Sequence, residues 1–166
     1  MKEDKYKKIY DLAYKLQIKY YKEEYENIKR IDSNIGTFEE YIDNQIKKSN
    51  VEVNREDNIV FKDTIKKENI IINIYLMKFK HIEPAQLDDD YKVLPLEEKI
   101  MYQYGAIITM PIKEGFITIN DVFSNYVSNE EQAKKDYNNL KNRLNNLMED
   151  ELLNEVEKNM KNELFL

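Results

Sequence analysis

The 166-residue sequence predicts an all-α single domain, residues 1–166. It reads as a bundle of about six helices, with long N- and C-terminal helices and room for a small β-hairpin near 51–61. Three observations carry this reading. No Gly or Pro precedes Gly36, and apolar residues before it recur with helical spacing. Capping-box sequences begin at Thr37 and Ser128. Near the C-terminus, Ala133, Tyr137, Leu140, Leu144 and Leu147 recur at three-four spacing, like a coiled-coil seam.

Residues 3–32 form the first predicted helix. At ~100° per residue, Ile9, Ala13, Leu16 and Tyr20 share one line, and Tyr10, Tyr14, Tyr21, Tyr25 and Ile28 share an adjoining one. Lys8, Lys15, Lys19 and Lys22 lie opposite, and the turn-forming run Asp32 to Gly36 ends the helix. Thr37 then caps a second helix, with Phe38, Tyr41, Ile42 and Ile46 on one face, ending near Ser49-Asn50. Val51 and Val53 alternate with polar residues, 54–58 is turn-like, and Ile59-Val60-Phe61 follows, the pattern of a short hairpin. Ile65 to Phe79 fits either a buried helix or a strand; the helix is preferred because the run is long for a strand.

His81 to Leu94 is a connector holding Pro84 and the triple acid Asp88-Asp89-Asp90. Pro95 suits the first turn of a new helix, where no amide donor is needed. That helix would bury Ile100, Met101, Tyr104, Ile107 and Ile108 and stop at Pro111 and Gly115. A short helix from Thr118 would turn Val122, Phe123 and Tyr126 inward. The last helix starts at Ser128-Asn129-Glu130-Glu131. Its seam fails at Glu151, and Leu153, Val156, Met160 and Leu164 define a rotated face, which predicts a break near 149–152.

Composition limits function. Hydrophobic residues make up 42% and charged residues 35%, enough apolar content for a folded core. The absence of Cys removes disulfides, thiol catalysis and Cys-based zinc sites, and fits a reducing, cytoplasmic setting. The longest apolar run, Ile70 to Phe79, is broken by Asn73 and Lys78 and falls short of the roughly 20 residues that span a bilayer. Lys outnumbers Arg 23 to 3, the residue usage of an AT-rich, low-GC genome, so the many Ile and Lys are discounted as structural or binding signals. The net charge of −6 argues against broad nucleic-acid binding. It is uneven: residues 2–22 hold seven Lys and three acids, and 82–98 hold six acids and one Lys.

No catalytic residue, metal site or cofactor is expected. His81 is the single imidazole, and no Gly-flanked Ser accompanies it. Gly36, Gly105 and Gly115 are isolated, so no phosphate-cradling loop exists. Asp88-Asp89-Asp90 matches no calcium-loop spacing, and Glu23-Glu24 and Glu97-Glu98 read as ordinary helix surface. The candidate partner-binding residues are Tyr10, Tyr14, Tyr21, Tyr25, Lys15, Lys19 and Lys22, together with Asp88, Asp89 and Asp90. Tyrosine offers large amphipathic area at small entropy cost and is enriched at interfaces; the plainer reading puts these tyrosines in the core. The chain therefore reads as a non-enzymatic protein-binding module, of the kind by which a phage or mobile element inhibits a host nucleic-acid-handling protein. The alternative is a nucleic-acid-binding regulator using a helix-turn-helix-like segment at 96–148.

Overall fold

A computed structural model describes residues 2–51, 58–82, 90 and 98–165. The described elements are α1 (Lys2–Ile31), α2 (Phe38–Val51), β1 (Ile59–Lys66), β2 (Ile71–Ile82), β3 (Glu98–Ile112), β4 (Gly115–Val127), α3 (Glu130–Asn146) and α4 (Glu149–Leu164). The strands form one antiparallel sheet in the order β1-β2-β3-β4. The architecture is therefore α+β, and the all-α expectation is overturned.

Each misread segment has a physical cause. Ile65 to Phe79, preferred as a helix, lies within the β1–β2 hairpin, closed by a turn in which the Lys67 amide donates to the Ile70 carbonyl at 3.0 Å. Ile72, Ile74 and Leu76 point into the core, but Tyr75 and Met77 on the opposite face are buried as well. Burial on both faces removes the alternation that marks a half-buried strand. The predicted hairpin near 51–61 is displaced: 52–57 lies outside the described residues, and the strand pairing begins at Ile59.

The helix expected from Pro95 is instead β3. Pro95 itself lies outside the described residues, and Tyr102, Ala106, Ile108 and Met110 form the strand's buried row. Pro111 sits past the point where β2 begins, since Ile71 faces Thr109, so no β2 ladder bond depends on its missing amide. The expected short helix at Thr118 is β4. Between Tyr104 and Ile108 of β3, β4 twice sets three residues against two, and the extra residues carry φ values of 54° at Asp121 and Phe123. Those two bulges respace the apolar residues to Ile119, Val122 and Phe123, which imitates helical spacing.

The expectations for the termini hold. α1 spans nearly the whole first segment. Thr37 and Glu40 cap α2 reciprocally, at 3.2 and 3.3 Å. The cap expected at Ser128 is displaced by one residue: Asn129 caps α3 by accepting from the Gln132 amide at 2.9 Å. The final helix breaks at Leu147–Met148, which lets α4 rotate its apolar face.

One face of the sheet carries the core. Ile65, Ile72, Ile74, Leu76, Ala106, Ile108, Met110, Ile119 and Val122 meet Tyr6, Ile9, Leu12 and Leu16 of α1, Tyr137, Leu140 and Leu144 of α3, and Leu152, Leu153 and Val156 of α4. Each fully buried aliphatic side chain contributes roughly 1.5–3 kcal/mol, which makes this cluster the main source of stability. On the opposite face Tyr75 lies over Gly105, its register partner, and its hydroxyl donates to Asp121 in the bulge. A Cβ at Gly105 would lie 2.7 Å from the Tyr75 hydroxyl oxygen, so any side chain there must displace Tyr75.

Candidate interaction surface

α1 has 30 residues and at ~1.5 Å rise per residue reaches ~45 Å, well beyond the ~24 Å of the 16-residue α4 it packs on. Its first two-thirds run parallel to α4. Around that apolar seam is a polar border: Lys2 to Glu149 at 3.3 Å, Lys8 to Glu157 at 3.0 Å, and Tyr20 donating to Glu163 at 2.8 Å. Lys5 donates to Asn154 in the same row. Lys19 donates to the Glu163 carbonyl at 2.7 Å, where it caps the C-terminal end of α4. The lysine excess in the first segment is thus largely engaged within the chain.

Beyond Tyr20, the ring contacts and hydrogen bonds that α1 makes to other elements among the described residues go to α2 and the turn before it. Tyr25 packs its ring 5.4 Å from Phe38 and 5.5 Å from Tyr41, and its hydroxyl donates to the Gly36 carbonyl at 2.7 Å. Tyr25 and Tyr41 are buried yet belong to no part of the main core cluster. Burial, followed by the Glu24 carboxylate, pushes the Tyr41 hydroxyl up to about 12. The C-terminal third of α1 and α2 therefore make a projecting helical hairpin with its own small aromatic contact.

That hairpin is strongly acidic. Residues 23–43 hold seven acids (Glu23, Glu24, Glu26, Asp32, Glu39, Glu40 and Asp43) against Lys29 and Arg30. All seven acids are exposed, and none forms an ion pair among the described residues. Ile31, at the tip, is 91% exposed.

The sequence-derived binding residues therefore separate. Tyr10, Tyr14, Lys15 and Lys22 are exposed on α1, while Tyr21 is half-buried and accepts from Gln17 at 3.1 Å. Tyr25 is buried inside the hairpin, and Lys19 is bound to α4. Asp88 and Asp89 lie outside the described residues; Asp90 is exposed. The acids of 23–43 were missed, although the change from lysine-rich 2–22 to acid-rich 23–43 is visible in the sequence. The helix-turn-helix expectation for 96–148 fails because 98–127 is a β-hairpin.

Two concave features border the sheet among the described residues. A depression of about 230 Å³ between β4 and α3 is lined by Tyr104, Phe123, Asp136, Asn139, Leu140 and Arg143. Its cation is already used: Arg143 pairs with Glu155 of α4 and lies 5.1 Å from the Phe123 ring centroid. A wider groove of about 650 Å³ runs past Ile59, Lys78, Phe79 and Ile100. Among the described residues no group of three His, Cys, Asp or Glu is placed to hold a metal ion, and no helix is long and apolar enough to cross a membrane. Comparison with protein-family models, curated proteins and solved structures gave no match.

Proposed function

We propose that the chain is a non-enzymatic protein-binding module whose projecting hairpin seats on a basic surface of a larger cytoplasmic partner. The observation that carries this reading is the hairpin's charge: seven acids against two bases in residues 23–43, all seven acids exposed and without an internal counter-ion among the described residues. A charge field of one sign on a protruding element attracts a surface of the opposite sign from a distance and speeds encounter. The exposed Ile31 supplies an apolar contact at the tip. The partner class that fits best is a nucleic-acid-handling protein, since its groove is basic by necessity. An inhibitor that covers such a groove suits a phage or mobile element of a low-GC host.

The test is capture from a low-GC bacterial lysate with the wild-type protein and a charge-neutralised variant. The variant combines Glu23→Gln, Glu24→Gln, Glu26→Gln, Glu39→Gln and Asp43→Asn, and keeps Glu40 for its cap. The expected result is a basic nucleic-acid-binding protein retained by the wild type, released by added DNA or RNA and by moderate salt, and lost with the variant. Retention of the same proteins by both forms, or retention indifferent to salt, would refute the reading.

A further inference from the structure

The two edges of the sheet are built differently. The β4 edge is interrupted twice, by the bulges at Asp121 and Phe123, a device that discourages strand addition. β1 is regular from Phe61 to Lys66. Its closing turn fixes which way its peptide groups point. Lys67 donates to Ile70, so in antiparallel alternation Ile65, Asp63 and Phe61 turn their amides towards β2. The amides and carbonyls of Lys62, Thr64 and Lys66 point outward, and among the described residues none of them has a backbone partner. All three side chains are exposed on the face opposite the core, and Lys62 and Lys66 form no ion pair among the described residues. Asp63, on the inner face, is engaged by Tyr137 and by Lys141 at 3.1 Å.

We propose that the β1 edge is a docking rail for an extended acidic segment of a partner protein, added as a fifth strand. Three outward peptide groups supply the ladder, and Lys62 and Lys66 select carboxylates at alternate positions of the incoming strand. A second copy of this chain is a poor occupant in every antiparallel register that overlaps the regular run of β1, Phe61 to Lys66, by five residues or more. Pairing β1 with itself about Thr64 sets Lys62 against Lys66; about Asp63 it sets Asp63 against its own copy; about Lys62 it sets Lys62 against its own copy.

The test uses the full chain with two capped synthetic peptides, one alternating Glu with Val and the other alternating Lys with Val. Residue-resolved amide exchange is the readout. With the Glu peptide, the Lys62, Thr64 and Lys66 amides are expected to slow about tenfold, while Asp63 and Ile65, already in the ladder, change little. The combined Lys62→Glu and Lys66→Glu variant is expected to reverse the peptide preference. Thr64→Pro removes one outward donor while sparing the β2 ladder, and is expected to weaken binding about tenfold. If that variant loses its fold by circular dichroism, the charge reversal decides alone. Equal binding of both peptides, protection centred on another element, or no binding at millimolar peptide would overturn the proposal. Neutralising the acids of 23–43 leaves this binding unchanged, which separates its failure from that of the hairpin reading.

Discussion

Glu149 shows how one buried charge joins distant parts of the chain. It is 7% exposed at the start of α4, and it accepts from the Asn69 amide at 2.7 Å, the Asn69 side chain at 3.1 Å and Lys2 at 3.3 Å. Burial alone would raise its pKa; the Asn69 hydrogen bonds and Lys2 outweigh burial and hold the carboxyl below its ordinary 4.5. A depressed folded pKa adds stability above the unfolded value, and that stability is lost as pH falls through the folded one. Glu149→Gln should therefore cost about 1–3 kcal/mol at neutral pH. Its thermal midpoint should also fall less steeply than the wild type's below pH 4.5; parallel acid limbs would contradict this. Gly105→Ala is expected to cost about 1–3 kcal/mol through overpacking against Tyr75. Combining it with Tyr75→Phe should cost less than the sum of the two single changes, as a double-mutant cycle in denaturant would show.

Between α1 and α4 the apolar seam outweighs its polar border. Leu153, 1% exposed, should cost about 2–5 kcal/mol when truncated to Ala. Lys19→Ala, which removes a cap from the end of α4, should cost about 0.5–1 kcal/mol by chemical denaturation. A larger loss for Lys19 than for Leu153 would reverse this ranking. At high pH the same seam weakens: Glu163, then burial, pushes Tyr20 up to about 12 from 10.0, so stability falls as pH rises above 10.0. Tyr20→Phe should flatten that alkaline limb. The helices were legible because capping and spacing are local properties: Thr37 with Glu40, a cap within one residue of Ser128, and the rotation after Leu147 can all be read from neighbours in sequence. The strands were hidden for two reasons. Discounting Ile as a product of base composition suppressed the β-branched signal of Ile70 to Ile74, and the β4 bulges replaced alternation with three-four spacing. Of the candidate binding residues Tyr10 and Tyr14 are exposed, whereas Lys19 and Tyr25 are spent within the chain, and the acids of 23–43 were overlooked because the charge was weighed over 2–22 and 82–98 instead.

As a whole the molecule is a two-layer body carrying an acidic hairpin. The core cluster joins sheet, α3, α4 and the first half of α1, whereas the hairpin rests on Tyr25, Phe38 and Tyr41. This division predicts that Tyr25→Ala loosens the hairpin while the body keeps its unfolding midpoint, with amide exchange speeding up in α2 and not in β2 or β3. It also explains why the net charge of −6 suits an interaction: residues 23–43 alone carry five of those negative charges, seven acids less two bases. The most direct measurement is amide hydrogen exchange on the protein bound to the basic protein that the proposed capture would retain, compared with the free protein. The account expects slowed exchange concentrated in residues 23–43. Protection confined to α3, α4 or the 98–127 hairpin, with 23–43 unchanged, would contradict it.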